Sequence, residues 1–182
     1  MSDPDLGLLE RWRNGDRAAG NDLFRGHFTA LYQFFEHKTP GAADDLVQET
    51  FLQCVKSQAT FRHQSSFRTY LFAIARHVLL GHWRSRAPTP TVDFEEISIA
   101  SLSTSLGTRL AAAQERARMI DALRTLPLEQ QLLLELHLWH DFGREQLAEI
   151  FEVEPATIGS RLHRARKALE DRLTEDAPSA TS

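Results

Sequence analysis

Residues 142–166 read FGREQLAEIFEVEPATIGSRLHRAR, and this stretch decides the fold. Leu147, Ile150 and Phe151 stand at i, i+3 and i+4, one apolar face of a first helix. Val153 falls in a short break, where a buried side chain would lock two helices together. Pro155 suits the first turn of a second helix, because its missing N–H has no intrahelical acceptor there. Ile158, Leu162, Ala165 and Leu169 then share one face, while Thr157, Ser160, Arg161, Arg164 and Lys167 lie opposite. This is the layout of a helix-turn-helix, whose second helix reaches base edges and phosphates in a major groove. A plain core hairpin with a solvated basic face has the same periodicity.

The particular residues separate the two readings. ATIGSRLHRARKAL closely resembles the recognition helix of the extracytoplasmic-function sigma factors of bacterial RNA polymerase, and the preceding QLAEIF resembles the first helix of their region four. The resemblance implies that Thr157, Ser160, Arg161, His163, Arg164 and Arg166 meet the −35 promoter element.

With 182 residues, 42% of them hydrophobic, the chain has material for one ordinary domain or two small ones. The single cysteine, Cys54, rules out an internal disulfide and fits a reducing compartment. It lies in an apolar helical phase and reads as core. No apolar run is long enough to span a bilayer, and the acidic start MSDPDLGLLE has no apolar signal region. A cytoplasmic protein without membrane insertion is expected. The net charge of −4 argues against strong unaided DNA binding. The charge is uneven, however: residues 155–172 hold 5 basic side chains against 2 acidic, while acid gathers around residues 129–154. Such a chain binds DNA weakly alone and well when a larger partner holds it there.

Almost every segment has a helical period and none alternates like a strand, so the fold class is all-α. A short helix spans residues 6–13, and Asn14-Gly15-Asp16 breaks it, with Asp16 placed to cap the next. That next helix carries Leu23, Phe24, Phe28, Leu31, Tyr32, Phe34 and Phe35, an apolar face wide enough to sit deep in a bundle. A third helix, DDLVQETFLQCVKS, turns Leu46, Val47, Thr50, Phe51, Cys54 and Val55 inward. Its acidic side reads as a solvated face when taken alone. The resemblance makes it the region-two segment that grips the clamp coiled coil of core polymerase, with Asp45, Gln48 and Glu49 as contacts.

The polar loop TFRHQSS leads into FRTYLFAIARHVLLGHWRSR, with Leu71, Ile74, Ala75, Val78 and Leu79 inside. Phe67, Tyr70, Phe72 and Trp83 interleave there with Arg62, Arg68, Arg76, Arg84 and Arg86. Aromatic faces stack unpaired bases and guanidinium groups neutralise phosphates. The same aromatics serve equally as core with snorkelling arginines. The stretch resembles regions 2.3 and 2.4 of the family, which implies that Arg62, Phe67, Tyr70, Arg76, His77, Trp83 and Arg84 handle the −10 element.

Residues 87–107, rich in Pro, Thr and Ser, have no helical period and read as a linker. Flexible and extended forms fit this composition equally. The resemblance implies an extended path near the polymerase active centre, with DFEE mimicking nucleic-acid charge. Helix resumes over residues 108–126, and LPLEQQLLLELHLWH, which resembles region 4.1, places Leu132, Leu133, Leu136 and Trp139 behind the helix-turn-helix. The expected architecture is two small helical domains: a region-two bundle at 5–86 and a region-four domain at 108–173, with the irregular linker 87–107 between them and a disordered tail at 174–182.

The chain departs from the family at several positions. His77 stands where Asn is frequent and Gly81 where Asp is, altering the −10 contacts. Gly81 inside a helix costs about 1 kcal/mol relative to Ala. Gly159 and Gln131 replace basic residues, weakening attraction for DNA. Glu152 occupies a turn position usually held by Gly. A left-handed Glu costs about 1–2 kcal/mol, so the turn is expected to adjust.

The resemblance implies a sigma factor whose partners are core RNA polymerase (clamp coiled coil and flap), promoter DNA and an anti-sigma factor. The alternative is a sigma mimic that binds an anti-sigma factor and never touches promoter DNA. The sequence contains no Gly-rich phosphate loop, nucleophile–base pair or paired carboxylates at a reasoned spacing, so no enzyme, catalytic residue or cofactor is expected. His137 and His140 share a helical face near Glu135, but a metal site needs three or four ligands, and none is expected.

Overall fold

The computed structural model describes residues 5–36, 38–39, 41–57, 61, 65–85, 118–119, 122–123 and 125–175. Among them the regular elements are all helices: α1 (Leu6–Arg13), α2 (Arg17–Glu36), α3 (Ala43–Ser57), α4 (Phe67–Arg84), α5 (Leu128–Leu138), α6 (Arg144–Phe151) and α7 (Pro155–Glu175). None of the helices is long and apolar enough to cross a membrane. The linker, the tail, Arg62, Arg86 and most of the helix expected at 108–126 lie outside the described residues.

Helix starts follow local chemistry. Asp16 Oδ1 accepts from the Ala19 N–H at 3.1 Å, and that backbone bond, together with Arg11, holds the Asp16 carboxyl below its ordinary range. Ser66 Oγ accepts from Thr69 N–H at 3.1 Å and starts α4. At α6 the Gln146 side chain reaches back to the Gly143 N–H at 2.9 Å, half of a capping box.

The helix-turn-helix break is a Schellman closure. Val153 N–H bonds Ala148 O at 3.0 Å and Glu152 N–H bonds Glu149 O at 3.3 Å, with Glu152 left-handed at φ 56°. The expected adjustment of this turn does not occur. Glu152 keeps the conformation that favours glycine, because the two bonds satisfy carbonyls that would otherwise end the helix unpaired.

The N-terminal core is aromatic. Phe24 stacks on Phe51 at 4.5 Å, Trp12 meets Phe24 edge-on at 5.0 Å, and Phe34, Phe35, Phe67 and Phe72 are wholly buried. Gly20 lets Trp12 approach: a Cβ there would lie 2.5 Å from the indole. The C-terminal core joins Leu132, Leu133 and Leu136 to Leu147, Ile150, Ile158, Leu162 and Ala165. The apolar faces read from the helix-turn-helix are all buried.

Three expected core positions face solvent. Phe28 is 42% exposed, at the edge of the α2 apolar face beside Tyr32. Val55 is 46% exposed, since eight residues on from Val47 an α-helix has turned by about 80° away from that face. Trp139 is 38% exposed because α5 ends at Leu138 and the indole leaves the helical phase.

The two halves pack through α4 against α6 and share one continuous buried cluster. Phe72 meets Phe142 edge-on at 5.1 Å, and the Arg68 guanidinium lies 4.3 Å over the Phe142 ring.

Candidate nucleic-acid interface

The outer face of α7 carries the side chains proposed for DNA. Ile158, Leu162, Ala165 and Leu169 seat the helix on the core, which leaves Ser160, His163, Arg164, Arg166 and Lys167 exposed and Thr157 and Arg161 half-exposed. Ser160 Oγ donates to Thr157 O at 2.9 Å, and Arg164 Nε donates to Ser160 O at 3.4 Å. Arg166 behaves differently. His137 Nδ1 pairs with Phe142 O at 3.0 Å, so Nδ1 carries the proton and Nε2 accepts from the Arg166 guanidinium at 2.6 Å. That bond braces Arg166 against α5.

His137 and His140 share no ligand geometry. His137 is tied to Phe142 and Arg166, while the His140 ring packs 5.0 Å from Phe72 and sets Nε2 3.8 Å from Glu135. Among the described residues no group of three or more His, Cys, Asp or Glu side chains is placed to hold a metal ion.

The turn before α7 is acidic. Glu145, Glu149, Glu152 and Glu154 line one groove together with Thr157. Their field opposes phosphate approach at the N-terminal end of α7, which the helix dipole makes attractive to anions.

On α4 the aromatic and basic residues separate by burial. Phe67 and Phe72 are sealed in the core and offer no face to a base. Tyr70 is half-buried: its hydroxyl lies 2.6 Å from Ser57 Oγ, and burial pushes the phenol up despite that bond. Trp83 is half-buried and Arg84 exposed. Arg76 is only 9% exposed and donates to both Glu129 oxygens at 2.6 and 2.9 Å, with its guanidinium 4.8 Å over the Phe151 ring. His77 is half-exposed and faces Glu152 at 3.4 Å. Arg62 lies outside the described residues.

On α3, Asp45 and Gln48 are exposed, and Glu49 is half-exposed, accepting from Gln53 Nε2 at 3.0 Å. Leu52 and Val55, 47% and 46% exposed, extend this acidic surface with an apolar one.

Sequence reasoning missed Lys38 and Glu135, both fully buried and paired across the two halves at 2.7 Å. A signal was present: Glu135 interrupts LLLELHL, and an acid within an apolar run requires a partner.

Residues 23–89 match the family model for sigma-70 region 2, and residues 116–169 match that for sigma-70 region 4. Together the two matches span more than half of the 182 residues, in the order that the fold presents them. The chain belongs to the sigma-70 family, in its extracytoplasmic-function group. It is similar to the ECF RNA polymerase sigma-E factor of Haemophilus influenzae, at 25% identity over 93% of this chain and 95% of that one. The RNA polymerase sigma factor HrpL of Pseudomonas syringae pv. syringae is 27% identical over 92% and 94% of the two chains. Among solved structures it is similar to the sigma factor RpoE of Bartonella quintana, determined in complex with the anti-sigma factor NepR. That pair has a TM-score of 0.64 and 26% identity over 86% of this chain and 98% of that one. CnrH, solved with the cytosolic domain of CnrY, shares the fold with a TM-score of 0.70 at 22% identity, over 95% and 99% of the chains.

Proposed function

We propose that this chain is an RNA polymerase sigma factor that directs promoter-specific transcription initiation. The observation that carries the reading is that one chain holds both family regions, and that α7 presents Ser160, Arg161, His163 and Arg164 on an open face. Those side chains read the −35 major groove, with Thr157 on phosphate and Arg166 in a bracing position. Tyr70, Trp83 and Arg84, with Arg62 before them and Arg76 and His77 beside them, serve the −10 element. Asp45, Gln48 and Glu49 on α3 dock on core polymerase. The working units are residues 5–86 and 108–173, tethered through 87–107, so that several weak sites multiply through effective concentration. The assigned role is recognition, with no reaction of its own, and the cytoplasm is its place. An anti-sigma factor is a further partner, by likeness to the RpoE relative solved with one.

The second reading, a mimic held by an anti-sigma factor and idle on promoters, is favoured by the four glutamates beside Thr157. Reconstituted run-off transcription with bacterial core polymerase and genomic promoter fragments tests both. Specific initiation supports the sigma reading. Core binding without initiation points to a missing activator or to altered −10 contacts at His77, and absence of core binding moves the reading to the mimic.

A further inference from the structure

A cavity of about 520 Å³ lies between α4, the first turn of α5 and α7. Small-molecule sites have volumes of roughly 300–1,000 Å³, so it is large enough for one. Three guanidinium groups line it, those of Arg76, Arg161 and Arg164, against the single carboxylate of Glu129. Burial grades them: Arg76 is 9% exposed, Arg161 half-exposed and Arg164 exposed. Positive charge therefore extends from the buried wall of the cavity to its rim.

That charge is poorly compensated. Arg76 meets Glu129 through Nη2 alone, at 2.6 and 2.9 Å from the two oxygens, and its buried Nε has no hydrogen-bond partner among the described residues. The Phe151 ring, 4.8 Å from that guanidinium, holds it in place. Arg164 gives one N–H to Ser160 O at 3.4 Å, and the Arg161 guanidinium forms no ion pair or hydrogen bond among the described residues. The Glu129 side chain is 46% exposed, so it can turn to water when a stronger anion arrives. The helix α5 begins at Leu128, and the positive end of its dipole adds to the attraction. Three guanidinium groups in one cavity match the several oxygens of a phosphate chain better than they match one carboxylate.

The remaining lining asks for more than charge. Gln130 Oε1 is buried without a hydrogen-bond partner among the described residues, an acceptor that calls for an N–H or O–H of the ligand. Leu133, Phe151 and Val153 supply apolar surface. A polyanion, a hydrogen-bond donor and a flat apolar body occur together in a nucleotide. We propose that this cavity binds a free nucleoside polyphosphate, with the phosphates on Arg76, Arg161 and Arg164 and a donor of the base or sugar on Gln130. No bond is made or broken. Arg161 and Arg164 also stand on the α7 face, so a bound nucleotide and a DNA backbone draw on the same two side chains. The binding itself is independent of the sigma reading.

The test is isothermal titration calorimetry of the full chain with ATP in magnesium-free buffer, and with tripolyphosphate as the bare anion. The wild type should bind ATP saturably, one to one, and tighter than tripolyphosphate. Arg76→Gln and Arg161→Gln should each weaken ATP about ten-fold. Glu129→Gln removes the competing carboxylate and should tighten ATP about three-fold, a gain that a damaged fold does not produce. Gln130→Leu should weaken ATP about three-fold and leave tripolyphosphate unchanged. Arg25→Gln, exposed on α2 away from the cavity, should bind as the wild type does, and circular dichroism should show equal helix content throughout. No saturable ATP binding, an equal loss in Arg25→Gln or no gain in Glu129→Gln would overturn the site. Tripolyphosphate binding as tightly as ATP would overturn the nucleotide assignment. Run-off transcription by the wild type keeps the two readings apart: initiation without ATP binding by the free chain removes this site and leaves the sigma reading standing, and ATP binding without initiation does the reverse.

Discussion

Lys38 and Glu135, 97 residues apart in the chain, form an ion pair with both side chains sealed from water. Glu135 Oε2 has no hydrogen-bond partner among the described residues, so the pair is not fully compensated. Burial works against the Glu135 carboxylate, but the Lys38 ammonium and the His140 ring outweigh it and hold the carboxyl below the ordinary range. For Lys38, burial outweighs Glu135 and pushes the ammonium down. Desolvation makes such a pair a weak stabiliser overall, yet removing one partner strands the other.

Glu135→Gln should therefore lower the stability of the folded chain by about 3–5 kcal/mol near neutral pH, read from urea midpoints. The double change Lys38→Met/Glu135→Leu should be close to neutral or more stable. A carboxyl depressed by folding contributes stability that is complete above its unfolded pKa of about 4.3 and lost as pH falls through the folded value. The acid limb of the wild type should be steeper there than that of Glu135→Gln. Identical limbs would show that Glu135 does not carry the acid sensitivity.

Two helical glycines should respond oppositely to alanine. A methyl at Gly20 meets the Trp12 ring at 2.5 Å, and Gly20→Ala should cost about 1–3 kcal/mol by overpacking. At Gly81 nothing lies within 4 Å, and Gly81→Ala should add about 0.5–1 kcal/mol. Thermal melts of the two variants read the signs directly.

Glu152→Gly relieves a left-handed side chain that the Schellman closure imposes. A gain of about 1 kcal/mol is expected, reduced slightly by loss of the exposed contact with His77. Chemical denaturation gives the number, and a loss would show that the Glu152 side chain holds the turn together.

Arg161→Ala/Arg164→Ala should reduce transcription from −35-dependent promoters and leave core polymerase binding intact. Each bidentate base contact removed is worth about 1–3 kcal/mol. Unchanged promoter output in the double variant would remove the groove assignment for α7.

The helices were legible because amphipathic periodicity is local. The faces of α6 and α7 follow from residues three and four apart, and caps such as Asp16 and Ser66 act within one turn. The helix-turn-helix and its basic outer face were therefore set by the chain alone, as was the order of the two family regions. Periodicity failed at Phe28, Val55 and Trp139, where the helix rotates off the core or ends.

What the tertiary structure decided is which side of α4 faces the C-terminal half. In the sequence Arg68, Phe72 and Arg76 are spaced by four and form a plausible DNA stripe. In the fold that stripe is the seam: Phe72 is sealed, Arg68 caps the His140 carbonyl and Arg76 is held by Glu129. Lys38 and Glu135 likewise meet only there. A helical period states which residues share a face, but the partner that covers it depends on long-range packing, and over the 53 positions between Arg76 and Glu129 no local rule reaches.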